Sequence, residues 1–250
     1  MRNTPIPTGS PGYSVRMGKA LILHGVGSGP ATLWRIRGWL EAAEWTVETP
    51  PLLGHGGRAP VPSYTLDAFV ADVLPHDDAD LVIGHSLGGT VALHAAAERP
   101  SWTKRLILIE PAIRMDRALI DVAKPSELAE LGWTREEIAE HNPRWDARDV
   151  DAKLAEAARA LPGAVAGLFD ENPHLDLEAE AARIARPTLV ITGDRTTNYS
   201  IIDEPTWRRL EGANPRLGFV PVPGTGHSPH RDDPAATRAI VLGWLASTAG

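Results

Sequence analysis

Ser86 stands in Leu81-Val82-Ile83-Gly84-His85-Ser86-Leu87-Gly88-Gly89, where an apolar run enters a G-x-S-x-G pentapeptide and a small-residue helical pattern leaves it. That setting holds a serine on a strained strand-to-helix turn with its hydroxyl exposed above a sheet. A neutral hydroxyl is a poor nucleophile and needs a base within hydrogen-bond reach. His227, in Pro223-Gly224-Thr225-Gly226-His227, is the candidate base, ahead of its neighbour His230. An imidazole in turn needs a carboxylate to fix its tautomer and to stabilise the imidazolium that forms. Two acids fit the chain order serine, acid, histidine: Glu110, which ends an apolar run before Pro111, and Asp194, which follows another through Gly193. The charge that develops on a carbonyl oxygen would be held by two backbone amides, that of Leu87 after the nucleophile and that of Val26 in His24-Gly25-Val26-Gly27. Together these residues imply nucleophilic attack on an activated carbonyl.

Such residues are far apart in sequence and must be gathered by a scaffold. Short β-rich runs at 20–23, 46–48, 81–83, 106–109, 188–192 and 218–222 alternate with helical patterns, which implies an α/β fold with a mostly parallel sheet covered on both faces. Most of the runs are continuously apolar, as strands buried on both faces are. Leu66, Phe69, Val70, Val73 and Leu74 carry helical spacing, and residues 87–98 suit a helix packed closely on the sheet. Ligands of open parallel sheets bind beyond the carboxyl ends of the strands, where Ser86, His24, Glu110, Asp194 and His227 all fall.

The alternation stops at 113–186, which reads as helices only. Thr134-Arg135-Glu136-Glu137 is a capping box flanked by Trp133 and Ile138 at staple positions, and Pro143 stops that helix. Val150, Leu154, Ala157 and Leu161 mark the apolar face of another. A crossover needs only a dozen or so residues, so the stretch is expected to form a helical lid rather than ordinary crossover helices. The expected organisation is a loose leader at 1–18, a core at 19–112 and 187–250, and the lid at 113–186.

The 250 residues carry a net charge of −7 and no cysteine. Disulfide, thiolate and cysteine-zinc chemistry are thereby excluded, and no Lys/Arg run offers a stripe for nucleic acid. No metal-ligand spacing of His and carboxylates, G-x-G-x-x-G or P-loop is present, so a cofactor-independent site without metal is expected. The start lacks a signal-peptide apolar region and no run is long enough to span a membrane, which points to a cytoplasmic protein with no membrane partner. Of eight tryptophans, Trp133 and Trp145 lie in the expected lid. They are candidate substrate contacts, with helix packing as the alternative, and imply a small apolar or aromatic ligand. His24 is a third candidate contact, with a loop-stabilising role as its alternative. Oligomeric state is not legible.

These segments resemble the α/β-hydrolase superfamily, over nearly the whole chain after Lys19. The resemblance rests on His24-Gly25-x-Gly27, on Pro51-Leu52-Leu53-Gly54-His55-Gly56 beside the family's "PDLxGHGxS" turn, on the Gly84–Gly89 elbow and on Gly226-His227. It implies a cofactor-free serine hydrolase of a small ester, lactone or thioester acting through an acyl-enzyme. Acyl transfer, carbon–carbon bond hydrolysis, or a non-hydrolytic cyclase or binding role on the same fold are the alternatives. The sequence departs from the family at the acid. Where many members have G-x-x-D, this chain reads Gly193-Asp194-Arg195-Thr196, with Thr196 at the usual acid position. Other members carry a Glu after the preceding core strand, where Glu110 stands. Glu110 is therefore the first expectation and Asp194 the second.

Overall fold

The computed structural model describes residues 18–194, 201–202 and 204–248. The leader expected at 1–18 falls almost wholly outside them, as does Thr196.

Six parallel strands form the main sheet: β1 (Lys19–Leu23), β2 (Thr46–Glu48), β3 (Leu81–His85), β4 (Arg105–Ile109), β7 (Thr188–Thr192) and β8 (Leu217–Pro221), in the order β2-β1-β3-β4-β7-β8. Each sequence-derived strand is present to within two residues at either end. The apolar runs serve both faces because side chains alternate along a strand. Leu21, Leu23, Val82, Leu106, Leu108 and Val190 share one core with Phe69 and Val70 of α2 (Leu66–Val73) and Val91 of α3 (Leu87–Glu98). Ala20, Ile22, Leu81, Ile83, Ile107 and Ile191 meet Ile36 and Leu40 of α1 (Trp34–Glu41) and Val241 and Leu245 of α11 (Pro234–Ser247) on the other face. Between β7 and α11 lie α9 (Glu204–Ala213), which leads into β8, and the single turn α10 (Pro229–Asp232).

Residues 113–186 carry α4 (Arg117–Glu130), α5 (Arg135–His141), α6 (Ala147–Ala157), α7 (Pro162–Glu171) and α8 (Glu178–Arg183). The Thr134–Glu137 capping box is formed, with Ile138 buried, while Trp133 stacks on the ring of His141 at 4.2 Å. The expectation of helices only is corrected. Arg114–Met115 (β5) and Leu175–Asp176 (β6) pair as an antiparallel ribbon that draws the two ends of the insertion together. Two-residue strands of mixed charge have no apolar alternation by which to be read.

The buried stripe of α6 is charged. Asp149, Lys153 and Glu156, at helical spacing, are all under 6% exposed. Asp149 accepts from Arg35 Nη2 (2.7 Å) and Trp34 Nε1 (2.8 Å), Lys153 Nζ donates to Gly27 O (3.2 Å), and Glu156 accepts from Ala31 N–H (3.0 Å). The insertion is thus pinned by hydrogen-bonded charges to the segment after β1, as buried charges must be if they are to remain ionised. Among the described residues, no helix is long and apolar enough to cross a membrane.

Candidate active site

The chain leaves β1 toward β2 on one side and returns to β3 on the other, so the crevice beyond the ends of β1 and β3 is the switch point where open sheets bind ligands. Ser86 occupies it, with φ 52° and ψ −120° between β3 and α3. The flanking glycines follow from how closely strand, turn and helix approach. A Cβ on Gly84 would lie 2.3 Å from Gly88 O, and one on Gly88 would lie 2.4 Å from Leu23 O. The Gly88 N–H donates to His24 O (3.0 Å), fastening the elbow to the loop after β1.

Glu110 follows β4 with φ 47° and is fully buried. Its Oε1 accepts from Gly193 N–H (2.6 Å) and its Oε2 from Ile201 N–H (2.9 Å), and His227 Nδ1 lies 3.4 Å from Oε2. Asp194 is elsewhere engaged: its Oδ2 accepts from Gly224 N–H (2.7 Å), so it braces the turn that leads to His227. Of the two candidate acids, Glu110 is the one brought to the imidazole. His230 is fully buried behind it, 4.7 Å ring to ring from His85. Burial pushes both His85 and His230 well below the ordinary histidine range, and His85 as a neutral ring donates from Nε2 to His227 O (2.9 Å).

The loop after β1 is held by two more neutral histidines. His24 Nδ1–H donates to Gly25 O (2.8 Å) while its Nε2 accepts from Leu52 N–H (2.9 Å). His55 Nδ1–H donates to Leu53 O (2.8 Å) while its Nε2 accepts from Gly27 N–H (3.1 Å). His24 is therefore fully buried under the loop and is not a substrate contact, which corrects that reading in favour of its loop-holding alternative. Among the described residues the N–H groups of Val26 and Leu87 have no hydrogen-bond acceptor.

Burial lowers His24 to about 3 and His55 to about 4. The unfolded chain, with histidines near 6.5, then binds protons that the folded chain does not. Stability is full above pH 6.5 and falls as the pH drops toward 4. At pH 5 each ring costs about 2 kcal/mol. His85 and His230 act in the same direction, and Glu127, which burial and the charge of Glu130 raise to about 7, offsets part. Scanning calorimetry is expected to show Tm falling by roughly 10 °C between pH 7.5 and 5. A flat Tm over that range would mean that these rings are protonated in the fold.

Ser86 and His227 open onto two chambers. The larger, about 550 Å³, is lined by Glu127, Trp133, Trp145 and Lys153 of residues 113–186, among others, and by Arg231 and Asp232. The smaller, about 110 Å³, is apolar and lined by residues including Leu87, Met115, Ile120, Ala123 and Phe169. Val26, Ser86, Ala123, Glu127 and His227 belong to both. Trp133 and Trp145 stand on the wall of the larger chamber. An apolar ligand suits the smaller chamber, whereas the larger carries charge from Glu127, Glu130, Arg144, Lys153, Arg231 and Asp232. Sequence reasoning missed these groups. The available signal was a lysine and two acids on the same helical face as Val150 and Ala157.

The sequence model described as "Alpha/beta hydrolase family" matches residues 20–240. Lipase LipV of Mycobacterium tuberculosis is 34% identical over 157 residues, which are 54% of this chain and 60% of that one. The pimeloyl-[acyl-carrier protein] methyl ester esterase of Aromatoleum aromaticum is 44% identical over 91 residues, 36% of this chain and 35% of the esterase. The match therefore spans less than two thirds of either relative. The structure of the N-formylmaleamic acid deformylase of Pseudomonas putida S16 superposes with a TM-score of 0.74 at 20% identity, covering 90% of this chain and 91% of that one.

Proposed function

This chain belongs to the alpha/beta hydrolase family, and on that premise we propose that it is a serine hydrolase that cleaves a small carboxylic ester through an acyl-enzyme; lactones and thioesters would follow the same route. The observation that carries the reading is the approach of His227 Nδ1 to Glu110 Oε2 at 3.4 Å, beside a serine of positive φ on the same cavity wall. The partly shared relatives, a lipase and a methyl ester esterase, are both named for ester chemistry.

Nδ1–H of His227 donates to Glu110, which leaves the Nε2 lone pair to take the Ser86 proton. The contact is long at 3.4 Å, and catalytic hydrogen bonds of this kind tighten when substrate is bound. Ser86 Oγ bonds to the ester carbon, and the carbonyl oxygen becomes an oxyanion between the N–H groups of Val26 and Leu87. Each such donor is worth about 2.7–4 kcal/mol. Collapse breaks the C–O bond, and His227 gives its proton to the departing alkoxide. A water deprotonated by His227 then attacks the acyl-serine, releasing the acid and restoring the hydroxyl. Residues 113–186 act as the lid over this chemistry, a role supported by the eleven residues they contribute to the lining of the larger chamber and by the pinning of α6 to the segment after β1. Hydrolysis of short 4-nitrophenyl esters by the wild-type chain, and its loss in Ser86→Ala, tests the reading.

A further inference from the structure

We propose that the larger chamber binds a carboxylate carried by the substrate, and that Arg231 is the residue that receives it, so the ester cleaved is one of a charged molecule rather than of a plain alkyl chain. The proposal deepens the serine-hydrolase reading and rests on it for the word ester.

Arg231 is 3% exposed and its guanidinium lies over the ring of Trp145, 4.4 Å from the centroid. Its Nε and Nη2 are buried and make no hydrogen bond, and no carboxylate lies within ion-pair distance among the described residues. Burial brings its pKa down only to about 10, so it stays a cation at neutral pH. A buried cation without a partner is costly, and native folds ordinarily supply one. Every nearby acid is already engaged. Asp232 accepts from Trp145 Nε1 (2.9 Å) through Oδ1 and from Gly226 N–H (2.7 Å) through Oδ2. Asp149 is held by Arg35 and Trp34, and Glu130 lies 3.2 Å from Lys153 Nζ. The partner missing from Arg231 is one that the described residues do not provide, and Arg231 shares a chamber with Ser86 and His227.

The charge balance selects the anion. Lys153 is matched by Glu130, and Arg144 is exposed. Asp149 and Asp232 already act on Arg231 through space, so the site can take little added negative charge, which fits a singly charged carboxylate better than a phosphate dianion. A planar guanidinium can meet a carboxylate with two parallel N–H bonds. Glu127 is raised to about 7 by burial and the charge of Glu130, so near neutral pH it can take up a proton when an anion enters the chamber.

The test uses the full chain and two independent readouts. Calorimetric titration is expected to show adipate binding, adipamide not binding, and adipate binding at least tenfold weaker in Arg231→Met. In parallel, kcat/KM is measured on two matched pairs. Monoethyl adipate against ethyl hexanoate places the charge on the acyl side, and 4-acetoxybutanoate against butyl acetate places it on the alcohol side. The wild type is expected to prefer the charged member of one pair at least tenfold, and Arg231→Met to bring that ratio below three. Equal binding of adipate and adipamide, adipate binding unaltered by Arg231→Met, or hydrolysis of the esters with no preference for a charged member would overturn the subsite. The ester preference of the wild type stands as evidence even where Arg231→Met fails to fold. Adipate binding in a chain that hydrolyses none of the four esters would support the subsite and overturn the hydrolase reading alone.

Discussion

Ser86→Ala is expected to lower kcat on short 4-nitrophenyl esters by at least about 10⁴-fold, with kcat/KM falling in parallel. The hydroxyl forms its bond to the acyl carbon on the way to the transition state, so its removal takes away an interaction absent from the ground state. The backbone gives no competing explanation. Ser86 sits at φ 52°, a strained value for any residue with a Cβ, and alanine bears that strain as serine does. The residual rate would come from the Val26 and Leu87 amides and from binding. A variant that turned over at the wild-type rate would remove the nucleophile from the account.

Glu110→Gln is expected to cost about 10³–10⁴-fold in kcat, and Asp194→Asn less than about tenfold. The carboxylate of Glu110 is fully buried and faces His227 Nδ1, so an amide there can offer N–H to that nitrogen and favour the wrong tautomer. The substituted side chain would also lose one of the two acceptors that now serve Gly193 and Ile201. Asp194 instead accepts from Gly224 N–H, a bond that an asparagine carbonyl can keep. Steady-state kinetics on 4-nitrophenyl butyrate separates the two. The opposite ranking would move the acid to Asp194 and leave the fold untouched.

How much of this was legible in the sequence depends on whether each feature is local. The strands were legible because residues such as Leu106 to Ile109 serve two cores and must all be apolar. The elbow was legible because Gly84 is demanded by the backbone of Gly88, a few residues on, although Gly88 answers to Leu23 on a separate strand. The acid was not fully legible, because Glu110 and Asp194 both follow strands that end at the same rim, and only their three-dimensional partners distinguish them. His24 has the sequence setting of a pocket residue, yet its ring turns inward to Leu52, a partner set by the approach of a separate loop. The charged chamber was least legible. Lys153 and Asp149 on a helix resemble a solvated face, and their burial depends on Gly27 and Arg35, more than a hundred residues earlier.

The most direct measurement is peptide mapping of the adduct formed with a fluorophosphonate, which labels only a serine made nucleophilic by its surroundings. The account predicts a single adduct on Ser86, formed at least about 100-fold more slowly in His227→Ala. An adduct on another residue, or equally fast labelling of Ser86 without the imidazole, would contradict it.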